Sequence, residues 1–174
     1  MPKLLVAAVG AALVVAGLAS AAPQKDAFNL TANLKPRFEV PKPQGVPTGA
    51  TGLFTGTAVE LANSRARVTW RLTFSKLSGR AAAAHVHTGK PGKAGGVMLA
   101  LCGPCGNGQR GNATISRAQL RTIRAGGAYI NVHTVRNAAG EIRGQLKASV
   151  RPGSNADPVP PPNPSPPPPP IPYP

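Results

Sequence analysis

The segment Arg67 to Ser75 reads RVTWRLTFS, and its side chains alternate without a lapse. In an extended chain, successive side chains point to opposite sides. Val68, Trp70, Leu72 and Phe74 therefore share one face, and Arg67, Thr69, Arg71, Thr73 and Ser75 share the other. One face is buried and one is wet, which is the signature of an antiparallel sheet lying on its core by a single side.

The rest of the chain fits that reading. Phe28–Leu34, Gly49–Leu61, Ala81–His87, Val97–Leu101, Tyr129–Thr134 and Glu141–Val150 read as further short strands. Lys35–Pro43 is extended but broken by proline, fit for an edge or a crossing loop. Thr88–Gly96 and Asn107–Asn112 read as glycine-rich loops, and Asn137–Gly140 as a hairpin turn. One short helix is predicted. Ser116 is its N-cap, Gln119 completes a capping box, Leu120 and Ile123 face inward, and Gly126-Gly127 stops it. Seven or eight short strands with one small helix predict an all-β antiparallel sandwich, with a small closed barrel as the alternative.

Both ends fall outside this domain. Met1-Pro2-Lys3, an apolar run from Leu4 to Leu18 and the Ala19-Ser20-Ala21 triplet make residues 1–21 a signal peptide. The run is too short to span a bilayer comfortably, so the mature chain is expected to hold no transmembrane segment. Residues 151–174 carry thirteen of the 21 prolines. Such a tail is extended, disordered polyproline and builds no core. Residues 22–150 are left as one domain. The formal charge is +15. A basic exported chain is expected to adhere to polyanions, such as cell-wall polymers. Export, and aromatic residues at only 4%, argue against nucleic acid, which needs stacking platforms.

All three histidines lie in two of the predicted strands. His85 and His87 flank Val86 and point the same way; His133 comes from a separate strand. Three imidazoles on one face are the minimum for a three-nitrogen metal site, and neutral imidazole suits copper or another late transition metal. The alternative is that the rings hydrogen-bond backbone carbonyls and pin the strands together. A ligating histidine needs an acceptor for its other ring nitrogen. Asn131, on the face of His133, and Glu141, across the hairpin, are the candidates. Arg143 either presents charge near the histidines or, the preferred reading, pairs with Glu141 two residues away along one face. Cys102-Gly103-Pro104-Cys105 has the spacing of a thioredoxin motif, but the glycine-rich run after it opens no helix. A local disulfide, Cys102 to Cys105, is the expected state in an exported chain; a two-thiolate metal pair is the rival. No nucleophile elbow, phosphate loop or pair of catalytic carboxylates occurs, and five acids leave little for acid–base chemistry.

Phe38-Glu39-Val40-Pro41, His85-Val86-His87, the Gly89–Gly96 loop, Ala128–Thr134 and Gly140–Leu146 together resemble the chordin-type (CHRD) domain. The resemblance covers about residues 26–149. It implies a β-sandwich in a secreted protein and no particular activity. More distantly, the chain is similar to copper–zinc superoxide dismutase, an immunoglobulin-like sandwich in which a His-x-His strand and a later Val-His strand hold copper. His85, His87 and His133 match those ligands. Between Thr88 and Tyr129, however, there is no His, Asp or Glu, so the bridging histidine and the zinc ligands are missing. The functional expectation is a secreted, non-enzymatic binding or scaffolding module. The alternative is an exported copper protein with a three-histidine site and weak or no dismutase activity.

Overall fold

The computed structural model describes residues 26–152. The expected signal peptide and all but the first two residues of the proline-rich tail lie outside them. The described strands are β1 (Ala27–Leu34), β2 (Thr51–Leu61), β3 (Arg65–Ser75), β4 (Ala81–Thr88), β5 (Val97–Cys102), β6 (Gln109–Ser116), β7 (Ala128–Thr134), β8 (Ile142–Gln145) and β9 (Lys147–Val150). A helix, α1 (Arg117–Arg124), follows β6, and a 3-10 turn covers Pro36–Phe38. They form two antiparallel sheets, ordered β6-β3-β2-β1-β9 and β5-β4-β7-β8. β6 and β5 each end a sheet without pairing to one another, so the architecture is the expected sandwich and not a closed barrel.

The core lies where the alternation places it. Val68, Trp70 and Leu72 of β3 are buried and Phe74 packs half-buried at the margin. Ala84, Val86, Ile130, Val132 and Ile142 meet them from the second sheet. Helix α1 has its capping box: the Ser116 hydroxyl accepts from the Gln119 amide, and the Gln119 side chain accepts from the Ser116 amide. Two turns cannot stand alone in water. Burial of Leu120 and Ile123 holds the helix on the sandwich, and the Arg124 guanidinium lies 4.4 Å from the centre of the Phe28 ring.

Two sequence expectations need correction. Asn107–Asn112 is not all loop, because β6 begins at Gln109 and pairs with β3. Its glycine is a packing residue: Gly111 lies opposite Trp70, and a Cβ there would strike the indole ring. Glu141–Val150 is not one strand. β8 pairs with β7, β9 pairs with β1, and the buried Leu146 between them is where the chain changes sheets.

Two crossings then cover the outer face of the second sheet. After β1 the backbone continues onto β8, with Lys35 and Arg143 exchanging both N–H···O bonds at 2.9 and 3.3 Å. From the other side, the loop between β4 and β5 folds back: the Thr88 amide donates to Gly96 O and the Gly89 amide to Gly127 O. A face that would otherwise be wet therefore becomes partly dry, and the polar side chains on it must find partners.

Candidate metal centre

Alternation in β4 turns Val86 into the core and His85 and His87 outward. In β7, Ile130 and Val132 are inward, so Tyr129, Asn131 and His133 face out. The register sets Ala83 opposite His133 and His85 opposite Asn131, which makes His85 and His133 diagonal neighbours. All three expected histidines come together. One nitrogen from each lies within 4.8 Å of the other two. A single point can thus lie within about 2.8 Å of all three (4.8 Å divided by √3). Ligand distances of about 2.0–2.1 Å need only small ring rotations from there.

Hydrogen bonds fix which nitrogens are free. His87 Nδ1 donates to Gly95 O at 3.0 Å, and His133 Nδ1 donates to Ala138 O at 2.9 Å. Both rings therefore present Nε2 as a lone pair. His133 Nε2 accepts from His85 Nδ1 at 3.1 Å, whereas His87 Nε2 is buried with no hydrogen-bond partner. Burial, then the neighbouring His87, pushes the His85 ring below the usual histidine range. Burial also pushes His133 down, against the Ala138 bond, which works the other way. The rings so disposed favour the neutral form, which is the form that ligates.

The partners of these rings differ from those the sequence proposed. Neither Glu141 nor Asn131 is hydrogen-bonded to a histidine; backbone carbonyls take that role. Glu141 accepts instead from Ser78, Thr134 and Asn137, and Asn131 donates to Glu39 and Ala139 O. Arg143 does not pair with Glu141. Its Nη2 donates to Lys90 O and Lys93 O at 3.1 and 2.9 Å, and its guanidinium lies 3.4 Å from the centre of the Tyr129 ring. Tyr129 in turn stacks on His87, with centroids 5.0 Å apart and planes 8° from parallel. Its hydroxyl accepts from the Gly95 amide at 3.2 Å. Gly95 thus anchors both rings, and its place against the Thr88 carbonyl leaves no room for a Cβ. The sequence reading missed Tyr129, although its even spacing from His133 put it on the same face. It also assigned Glu39 no role.

Cys102 and Cys105 are joined in a disulfide with Cα atoms 5.3 Å apart, at the end of β5. They do not take part in the histidine cluster.

No curated protein and no solved structure matches this chain. The family model of the CHRD domain matches residues 30–146, more than half the chain, from within β1 to the residue at which the backbone changes sheets. Every element that positions the three imidazoles lies inside that span, and the chain belongs to the CHRD domain family.

Proposed function

We propose that this is an exported, non-enzymatic CHRD module that holds one late transition-metal ion, copper first, on His85 Nδ1, His87 Nε2 and His133 Nε2. The observation that carries the reading is the pair of carbonyl bonds, from His87 to Gly95 and from His133 to Ala138, that leaves two lone pairs beside the third ring. Rings serving only as strand pins would use both nitrogens on the protein, yet His87 Nε2 bonds nothing. An all-imidazole donor set suits copper better than calcium or magnesium, which prefer oxygen. Loading the site moves the His85 proton from Nδ1 to the other ring nitrogen, and because only neutral rings ligate, uptake weakens in acid. Binding rather than catalysis fits the second layer, which offers the histidines backbone carbonyls but no carboxylate for proton transfer. Export rests on the leader-like residues 1–21. Among the described residues no helix is long and apolar enough to cross a membrane.

The test is metal analysis of the chain exported by its own leader and purified without chelator. About one copper per chain is expected. His85→Ala and His133→Ala should each weaken copper by more than the 10–100-fold that loss of an outer partner brings. Protein that carries no copper and takes up none, or a double variant that binds as tightly as the parent, refutes the reading.

A further inference from the structure

A second site lies beyond the histidines. The chain crossing from β1 to the outer face roofs a cavity of about 610 Å³, closed on other sides by Pro91-Gly92 and by β8. Its size is that of a small-molecule site. Two of its lining side chains are almost fully buried and incompletely bonded: Arg143 (1% exposed) has no partner for Nη1, and Glu39 (2% exposed) has none for Oε1. Lys35, Arg37, Lys42 and Lys147 also line it, against Glu39 as the one acid. Phe38 and Val40, both large, apolar and exposed, complete the wall.

Arg143 is ready for an anion. Its Nη2 is fixed by two carbonyls and its plane by Tyr129, so the spare nitrogen is held in place before any ligand arrives. A buried guanidinium nitrogen without an acceptor is an unmet demand for one. Glu39 supplies the complement. Burial raises its carboxyl to about 8, against the field of Arg143 and the Val40 amide, so near neutrality it is a neutral O–H donor.

We propose that this cavity binds an organic carboxylate, its two oxygens taken by Arg143 Nη1 and the Glu39 carboxyl and its body lying against Phe38 and Val40. The basic rim draws the anion in. An acidic sugar and an aryl or alkyl acid share this chemistry, and the test separates them.

The experiment is calorimetric titration of the full chain at pH 6.5 with galacturonate, phenylacetate and inorganic phosphate as separate probes. One of the two carboxylates is expected to bind one to one, at least tenfold more tightly than phosphate. Arg143→Gln should weaken it at least tenfold. Because that variant also loses packing on Tyr129, Glu39→Gln provides the independent arm. The parent should lose at least tenfold in affinity between pH 6.5 and pH 9, and the variant should not. Arg143 from β8 and Asn131 from β7 act on Glu39 directly, and Lys147 from β9 and Lys35, Arg37 and Lys42 on its own segment are the other charged groups of the cavity wall; all are the same in both proteins. No binding by either carboxylate, phosphate binding as tight as theirs, or the same pH dependence in Glu39→Gln overturns the proposal.

Discussion

Glu39 and Glu141 each bond a side chain of β7, Asn131 and Thr134, and water reaches neither: they are 2% and 0% exposed. Their fates are opposite. Burial pushes the Glu141 carboxyl up, but bonds from the Ser78 hydroxyl and amide, the Thr134 hydroxyl and the Asn137 amide outweigh it, and the group is held below its usual range. Glu39 has the field of Arg143, the Val40 amide and a long bond from Asn131 at 3.4 Å, and burial still wins, lifting it to about 8. Donors, not depth, decide whether a buried acid keeps its charge. Gly140 lies beside the poorly bonded one. With φ of +136°, it would bring any Cβ to 2.8 Å from Glu39 Oε1 and 2.5 Å from Asn131 Oδ1. A well-bonded acid fixes structure; a starved one is left for a ligand.

The largest effect expected is at the satisfied corner. Glu141→Gln keeps the shape but turns an N–H donor toward donors, and should cost about 4 kcal/mol in urea unfolding at pH 7. An unmoved midpoint would show that the charge does not hold the corner. In the parent, this carboxylate's contribution is present above about pH 4.5 and is lost as acid protonates it.

The starved corner should respond with the other sign. The folded state keeps the Glu39 proton that the unfolded chain loses, so stability falls as pH rises from about 4.5 to about 8. Each tenfold difference in proton affinity between the two states is worth roughly 1.4 kcal/mol. Glu39→Gln should be within about 0.5 kcal/mol of the parent at pH 5 and more stable by about 3 kcal/mol at pH 9. Parallel urea curves at the two pH values measure this; equal differences at both would mean that Glu39 is ionised in the fold.

The smallest change sharpens the contrast. Ser78→Ala removes one hydroxyl donor from Glu141 but leaves the Ser78 amide bond, and should cost about 1.5 kcal/mol. The acid limb of the stability profile should also move toward higher pH. If that limb stays put, the hydroxyl does not help hold the charge.

What was legible in the sequence was periodic or local. The alternation of Val68, Trp70 and Leu72, the Ser116–Gln119 box and the shared face of His85 and His87 all follow from spacing within one element. What was not legible depended on distant partners. Gly111 looks like a loop residue until the Trp70 ring covers it. Leu146 looks like one more strand residue until β9 leaves for β1. Glu141 and Arg143 share a spacing that suggests an ion pair, yet each has better partners across the sheet: Ser78 and Asn137 for one, Tyr129 and two loop carbonyls for the other. Glu39 had one usable signal, an acid set among prolines in a chain with only five acids. A rare residue there is unlike a routine surface charge.

The pairing of β1 with β9 fixes where the domain is joined to the rest of its chain. Phe28 faces Val150, and the Arg151 amide donates to Ala27 O at 2.9 Å, so the backbone comes in and goes out at one corner. The cavity wall begins near the far end of that strand, around Thr31 to Lys35 and on to Lys42. Eight residues at about 3.3 Å each put roughly 25 Å between that corner and the end of β1. Whatever is joined to either end of the described residues is joined at the same corner. The cavity, which begins toward the opposite end of β1, lies away from both joints.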